Sequence, residues 1–248
     1  MLVKHHKIIS AVISIVLAVA LQVLILPDPV FRVLIPTVAV FIIGIGAYTA
    51  FYMRGLGKVQ WWVVLRTVLV FAAWIGLFFI IPNNTLRTAF LIIGLPVLYY
   101  FEVTVGNAGE QLLFNELVIS AFGLFMLLGA LAQYFARIGS WYVVIAFIIT
   151  VLLCRATYEI TPHGLRSKWL GSVIIGLCMS ELFWALSFLP LHYSVLGFIL
   201  FVIFYAIWSL YYYYLFNQIT TRKIQFQLGL SALFIALVLL TTPLSIIS

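Results

Sequence analysis

Long apolar runs alternate with short polar gaps along the whole chain. Nine runs can be read, at about 8–26, 33–53, 60–81, 86–105, 112–135, 141–160, 169–189, 195–216 and 224–247. A helix rising 1.5 Å per residue crosses a hydrocarbon core of about 30 Å in roughly 20 residues, so each run matches one crossing. The runs are too long for strands and lack the ten-residue apolar–polar alternation of a membrane barrel. The gaps hold helix-ending residues: Pro27-Asp28-Pro29, Pro82-Asn83-Asn84, Gly106-Asn107, Pro162-His163-Gly164 and Pro190. The pattern predicts an all-α, polytopic transmembrane bundle of nine spans. The gaps are too short for a soluble domain, so residues 1–248 are expected to form a single transmembrane domain.

Composition supports the same class. Apolar residues make up 66% of the chain and charged residues 8%, against roughly 25% charged in a soluble domain. Such a surface cannot be solvated by water, which excludes a soluble enzyme, a disordered tail, a disulfide scaffold and a nucleic-acid-binding domain. Lipid is the expected partner of most of the surface. The first run follows Lys4-His5-His6-Lys7 as a signal sequence would. Its apolar length exceeds a signal core and no A-x-A-like site follows Leu26, so it reads as an uncleaved anchor.

The net charge of +7 lies mostly in the gaps, where it reports topology. With the N-terminus in the cytoplasm, the inner side collects Lys4, Lys7, Arg54, Lys58, Arg155, Arg166, Lys168, Arg222 and Lys223. The outer side collects Arg32, Arg87 and Arg137. An odd number of spans then leaves Ser248 outside. Trp61, Trp62 and Trp169 at inner span ends, Trp141 at an outer one, and the belt from Tyr211 to Tyr214 fit this orientation.

Several chemistries find no support in the sequence. All five lysines lie in gaps or at span ends, which excludes a retinal-type Schiff base. His5, His6, His163 and His192 also sit in gaps, so a haem held on both faces by intramembrane histidines is not expected. Asp28 is the one aspartate, and no H-E-x-x-H, G-x-S-x-G or phosphate-loop motif occurs. No cofactor, metal or catalytic residue is therefore expected. Cys154 and Cys178 lie inside apolar runs and read as small buried hydrophobes.

Against this background, polar groups inside spans stand out, because an ionisable side chain at a span centre costs about 2.5–3.5 kcal/mol even on the mildest scale. Arg66, Glu102, Asn115, Glu116, Arg155 and Glu159 fall in the inner third of their runs. Opposite charges at matched depth can pair, so Arg66 is expected to meet Glu102, Glu116 or Glu159. The group would either neutralise itself in this way, snorkel to the headgroups, or line a water-filled inner vestibule. Glu181, with Ser180 beside it, lies near the middle of the seventh run and has no cation at its depth. It is expected to face the bundle interior as a buried titratable carboxylate, the kind of group that couples proton movement; the alternative is structural glue between helices. Pro96, two residues after Gly94, should kink or break the fourth span. Trp74, Trp184 and Trp208 lie within spans and are expected to face the bundle, where each indole N–H finds a partner.

An internal repeat is faintly visible, since Tyr100-Phe101-Glu102-Val103-Thr104 echoes Thr157-Tyr158-Glu159-Ile160-Thr161. The stretch from Ser180-Glu181-Leu182-Phe183-Trp184 through Trp208 to Thr241-Thr242-Pro243 resembles uncharacterised multi-pass membrane proteins of uncultured, small-genome bacteria. That resemblance covers the last quarter of the chain. It implies a bacterial inner membrane and carries no function.

The sequence reading therefore favours a small transporter, with Glu181 as its titratable group and the inner charged residues along the approach. A small solute or ion would then be the partner. Its rival is a non-catalytic scaffold or subunit of a larger membrane complex, bound to other membrane proteins. A lipid-directed enzyme is least supported, because the sequence contains no nucleophile–base or metal constellation.

Overall fold

In hydrocarbon every backbone N–H and C=O must be satisfied within the protein, which leaves the helix as the form an isolated apolar run can take. The computed structural model describes residues 9–16, 31–55, 61–81, 83–104, 110–134, 141–158 and 165–241. All regular structure among them is helical: α1 (described over 9–16), α2 (Phe31–Gly55), α3 (Trp61–Ile80), α4 (Asn84–Thr104), α5 (Glu110–Tyr134), α6 (Trp141–Tyr158), α7 (Leu165–Leu186), α8 (Tyr193–Leu215) and α9 (Thr221–Thr241). Hydroxyl side chains within them are satisfied locally. Thr49, Thr67 and Thr150 each donate to the carbonyl four residues earlier, at 2.9, 3.0 and 2.8 Å, which lets a polar side chain enter an apolar helix.

Six helices among the described residues are long and apolar enough to cross a membrane: Trp61–Phe78, Asn84–Phe101, Phe114–Gln133, Lys168–Leu186, Tyr193–Leu215 and Thr221–Thr241. The chain is thus a polytopic helical membrane protein. These six match six of the nine expected crossings. Two further apolar helical stretches, Val40–Arg54 in α2 and Trp141–Thr157 in α6, each have an arginine near their end. Most of the first expected run lies outside the described residues. The seventh helix also stops earlier than its apolar run. It ends at Leu186, and 187–189 turn ahead of Pro190, because the residue before a proline is biased away from helical geometry.

The chain divides into two compact units, Met1–Ser120 and Ala121–Ser248, with the boundary inside α5. In the first, α2 and α4 pack on α3 around Ile45, Val70, Phe71, Trp74, Phe78, Leu91 and Leu98. Pro96 sits within a continuous α4, so the helix is not broken there. The neighbouring Gly94 serves packing instead. The Trp74 indole occupies the space where a Cβ on Gly94 would stand, and its ring stacks on Phe90 at 4.1 Å between centroids.

In the second unit, α7 packs on α6 and α8, and α9 packs on α8. The part of α5 beyond the boundary approaches α8 almost backbone to backbone. A Cβ on Gly197 would lie 2.7 Å from Cα of Met126. Nearby, the Tyr193 amide donates to Oε1 of Gln133 at 3.1 Å. His192 caps the start of α8 by accepting from the Ser194 amide at 3.4 Å, and Asn217, with φ of 52°, follows its end.

Candidate functional site

The charged residues within the helices separate into three local situations. The first is an ion pair. Arg66 lies five residues into α3 and Glu116 six residues into α5, placing both roughly 8–9 Å from the N-terminal end of their helices. Their side chains meet, with Nε of Arg66 2.6 Å from Oε2 of Glu116. The carboxylate is almost fully enclosed, at 2% exposure, and the guanidinium keeps 14%. The pair joins α3 to α5 within the first unit. One turn on, the Ser120 hydroxyl donates to the Glu116 carbonyl at 2.6 Å.

Arg66 therefore pairs with one of the three acids expected at its depth, and the six-residue inner cluster appears only in part. Asn115, adjacent to Glu116, points outward and is exposed. Glu102 lies on α4, with its side chain outside the described ones, and Glu159 is outside the described residues altogether.

The second situation is Arg155, buried near the end of α6 in the second unit. Its guanidinium lies over the Trp169 ring, 5.2 Å from the centroid, within the range of a cation–π attraction. Two residues along, Thr157 accepts a hydrogen bond from the Trp208 indole N–H at 3.1 Å, tying α8 to α6. Trp208 faces inward as expected, with Thr157 as a partner that sequence reasoning did not identify. Spacing could not reveal it, since the two residues are 51 positions apart.

The third situation is Glu181, which reverses an expectation. Its side chain is exposed on the outside of α7, not turned into the bundle. The packed face of α7 is carried by Ser172, Ile175, Met179, Ser180 and Phe183. Successive helix residues are about 100° apart, so with Ser180 and Phe183 inward Glu181 must point away. It shares its face with Leu170, Ile174, Leu177 and Trp184, all about half exposed or more, and with Phe188 just beyond the helix end. Ser180 and Glu181 do not form a joint polar site. The Ser180 hydroxyl donates to the Leu177 carbonyl of its own helix at 2.9 Å.

Two further expectations fail on this face. Trp184 is exposed and packs edge-on against Phe188 at 5.4 Å, whereas Trp74 and Trp208 are buried. Cys178 is exposed, while Cys154 is buried as expected. Among the described residues no group of three His, Cys, Asp or Glu side chains is placed to hold a metal ion.

Comparison with protein-family models, curated proteins and solved structures finds no match to this chain. The resemblance of the C-terminal quarter thus gains no family from them, and the site has to be read from its own geometry.

Proposed function

We propose that this protein is a non-catalytic, multi-pass subunit or scaffold of a larger membrane assembly, with α7 as the surface it offers to its neighbours. One observation carries the reading: Glu181 stands exposed among apolar residues on the outer face of α7. A carboxyl group against lipid loses its hydration without compensation. Covering that face with another protein removes the penalty. The test is the size of the particle extracted from native membranes in a mild detergent. The wild type should run in a particle larger than one chain, and Glu181→Leu should shift it toward the monomer. A wild type that is monomeric under these conditions removes the reading.

A second reading, transport of a small solute or ion, loses Glu181 as its interior group but keeps the buried Arg66–Glu116 pair. An ion pair enclosed within a membrane unit can open and close as its charges are neutralised. In liposomes loaded with a pH-sensitive dye, flux of a candidate solute should then depend on Glu116. Equal flux from the wild type and Glu116→Gln ends this version.

Both readings use the same placement in the membrane: a single domain over 1–248, nine crossings, N-terminus in the cytoplasm and C-terminus outside, in a bacterial inner membrane. The nine-to-three bias of basic residues supports the orientation. A cysteine placed near Gly57 should resist an impermeant thiol reagent in intact cells, and one near Asn84 should react. The opposite pattern inverts the topology.

A further inference from the structure

The chemistry of the α7 face narrows what can cover it, granted the subunit reading above. Glu181 lies five residues, roughly 8 Å, from the Leu186 end of α7 and thirteen residues, roughly 20 Å, from Lys168 at the other. The nearer headgroup layer is thus on the C-terminal side. Helical Cα–Cβ bonds tilt toward the N-terminus, so the side chain leans deeper into the membrane and away from that layer. The short glutamate stem cannot reach back as a lysine would. Among the described residues no hydrogen bond or ion pair to Glu181 is present. Around it the face is apolar, with Leu177 one turn before, Trp184 about one turn after, and Ile174 and Phe188 beyond them.

We propose that this face docks a transmembrane helix of a different membrane protein, one that presents a lysine or arginine at the depth of Glu181. The acid calls for a cation because a buried opposite charge is what most fully offsets its desolvation. The apolar residues on either side supply helix-packing surface and exclude water from the pair, the arrangement found around strong interface contacts. A second copy of this chain fits poorly. A two-fold contact through α7 would set Glu181 against its own copy, like charge against like. The basic side chains described in the helices are otherwise placed: Arg66 is engaged with Glu116, Arg155 and Lys168 are buried, Arg87 donates to the Ile81 carbonyl, Lys223 lies over the Tyr213 ring, and Arg54 and Arg222 stand next to the ends of their helices.

Cys178 makes the proposal testable without adding a probe. It is exposed, three residues before Glu181 on the same side of α7, while Cys154 is buried. The full chain would be reconstituted in liposomes with a synthetic Leu/Ala transmembrane helix. That helix carries one lysine about 8 Å from one end, to match Glu181, and one cysteine a turn closer to its centre. Mild oxidation then reports docking as a disulfide to Cys178. The lysine peptide should cross-link about tenfold more than its all-leucine counterpart, the scale of an interhelical polar contact in a bilayer. Glu181→Leu should bring the lysine peptide down to the control, and moving the lysine to the helix centre should do the same without altering the protein.

Equal cross-linking of lysine and leucine peptides overturns the proposal. So does a Cys178–Cys178 dimer of the chain in the absence of peptide, which would assign the face to a second copy. The particle size in native membranes is read separately. A large, Glu181-dependent particle together with charge-blind peptides keeps the subunit reading and removes the cationic partner. A monomeric particle with lysine-selective docking does the reverse.

Discussion

Glu116 and Glu181 are both single carboxyl groups, each roughly 8–9 Å from one end of a helix long enough to cross a membrane. They meet opposite fates. Glu116 is turned inward in the first unit and is paired at 2.6 Å with Arg66. Glu181 is turned outward on the second unit among leucine, isoleucine and aromatic side chains. The difference lies in which side has to answer the charge. An inward acid must be answered by its own chain, because an uncompensated charge would prevent that unit from packing. An outward acid places no such demand on the chain that carries it, and its cost falls on the membrane until something covers it.

The sharpest way to break this comparison is to remove one side of the inner pair. Glu116→Leu leaves the Arg66 guanidinium without its carboxylate and should destabilise the solubilised protein by about 3–5 kcal/mol. The double replacement of Arg66 and Glu116 by leucine should recover most of that loss, since well-packed apolar residues often replace a buried ion pair at no cost. Both are read from unfolding midpoints in detergent. A silent single variant would mean that the pair contributes nothing to folding, and the contrast with Glu181 would collapse.

An intermediate effect is expected where the second unit relies on close apolar packing instead of charge. Gly197→Val drives side-chain atoms into the α5 backbone near Met126 and should cost about 1–3 kcal/mol, as overpacked cores do. A neutral result in the same assay would show that α5 and α8 can separate without penalty.

Trp208→Phe should cost about 1 kcal/mol, because it removes the hydrogen bond to Thr157 while keeping an aromatic ring in the same space. Trp208→Leu, which also loses aromatic packing, should cost more. If the two variants are equal, the hydrogen bond dominates and the ring contributes little.

The smallest effect belongs to Glu181. Glu181→Leu should change the stability of the isolated, solubilised chain by no more than about 0.5 kcal/mol, as surface substitutions usually do. Its consequence should appear only in assembly. A large loss of stability in the isolated protein would assign Glu181 a structural partner within its own chain and remove the contrast from the other end.

Much was legible from the order of residues alone. The helical class, the membrane and the approximate limits of α3, α4, α5, α7, α8 and α9 follow from apolar length, because a backbone in hydrocarbon has to satisfy itself and a helix of about 20 residues does so. The expectation that Arg66 would find an acid was also within reach, since matched depth and opposite sign can be counted along the chain. Which acid it would meet was not, because three were available at that depth.

Direction was the part the tertiary structure decided. In a water-soluble helix the polar side announces the surface, and a 3.6-residue period reveals which residues are buried. In α7 both sides are apolar: Met179 and Phe183 pack inward while Leu177 and Trp184 face outward. That period carries no contrast when lipid and protein interior are equally apolar. Sequence could therefore place Glu181 and Trp184 within α7 but not around the helix axis, and the early end of α7 at Leu186 brought Glu181 closer to one end than the middle expected for it. Only the packing of α7 on α6 and α8 turned Ser180 in and Glu181 out.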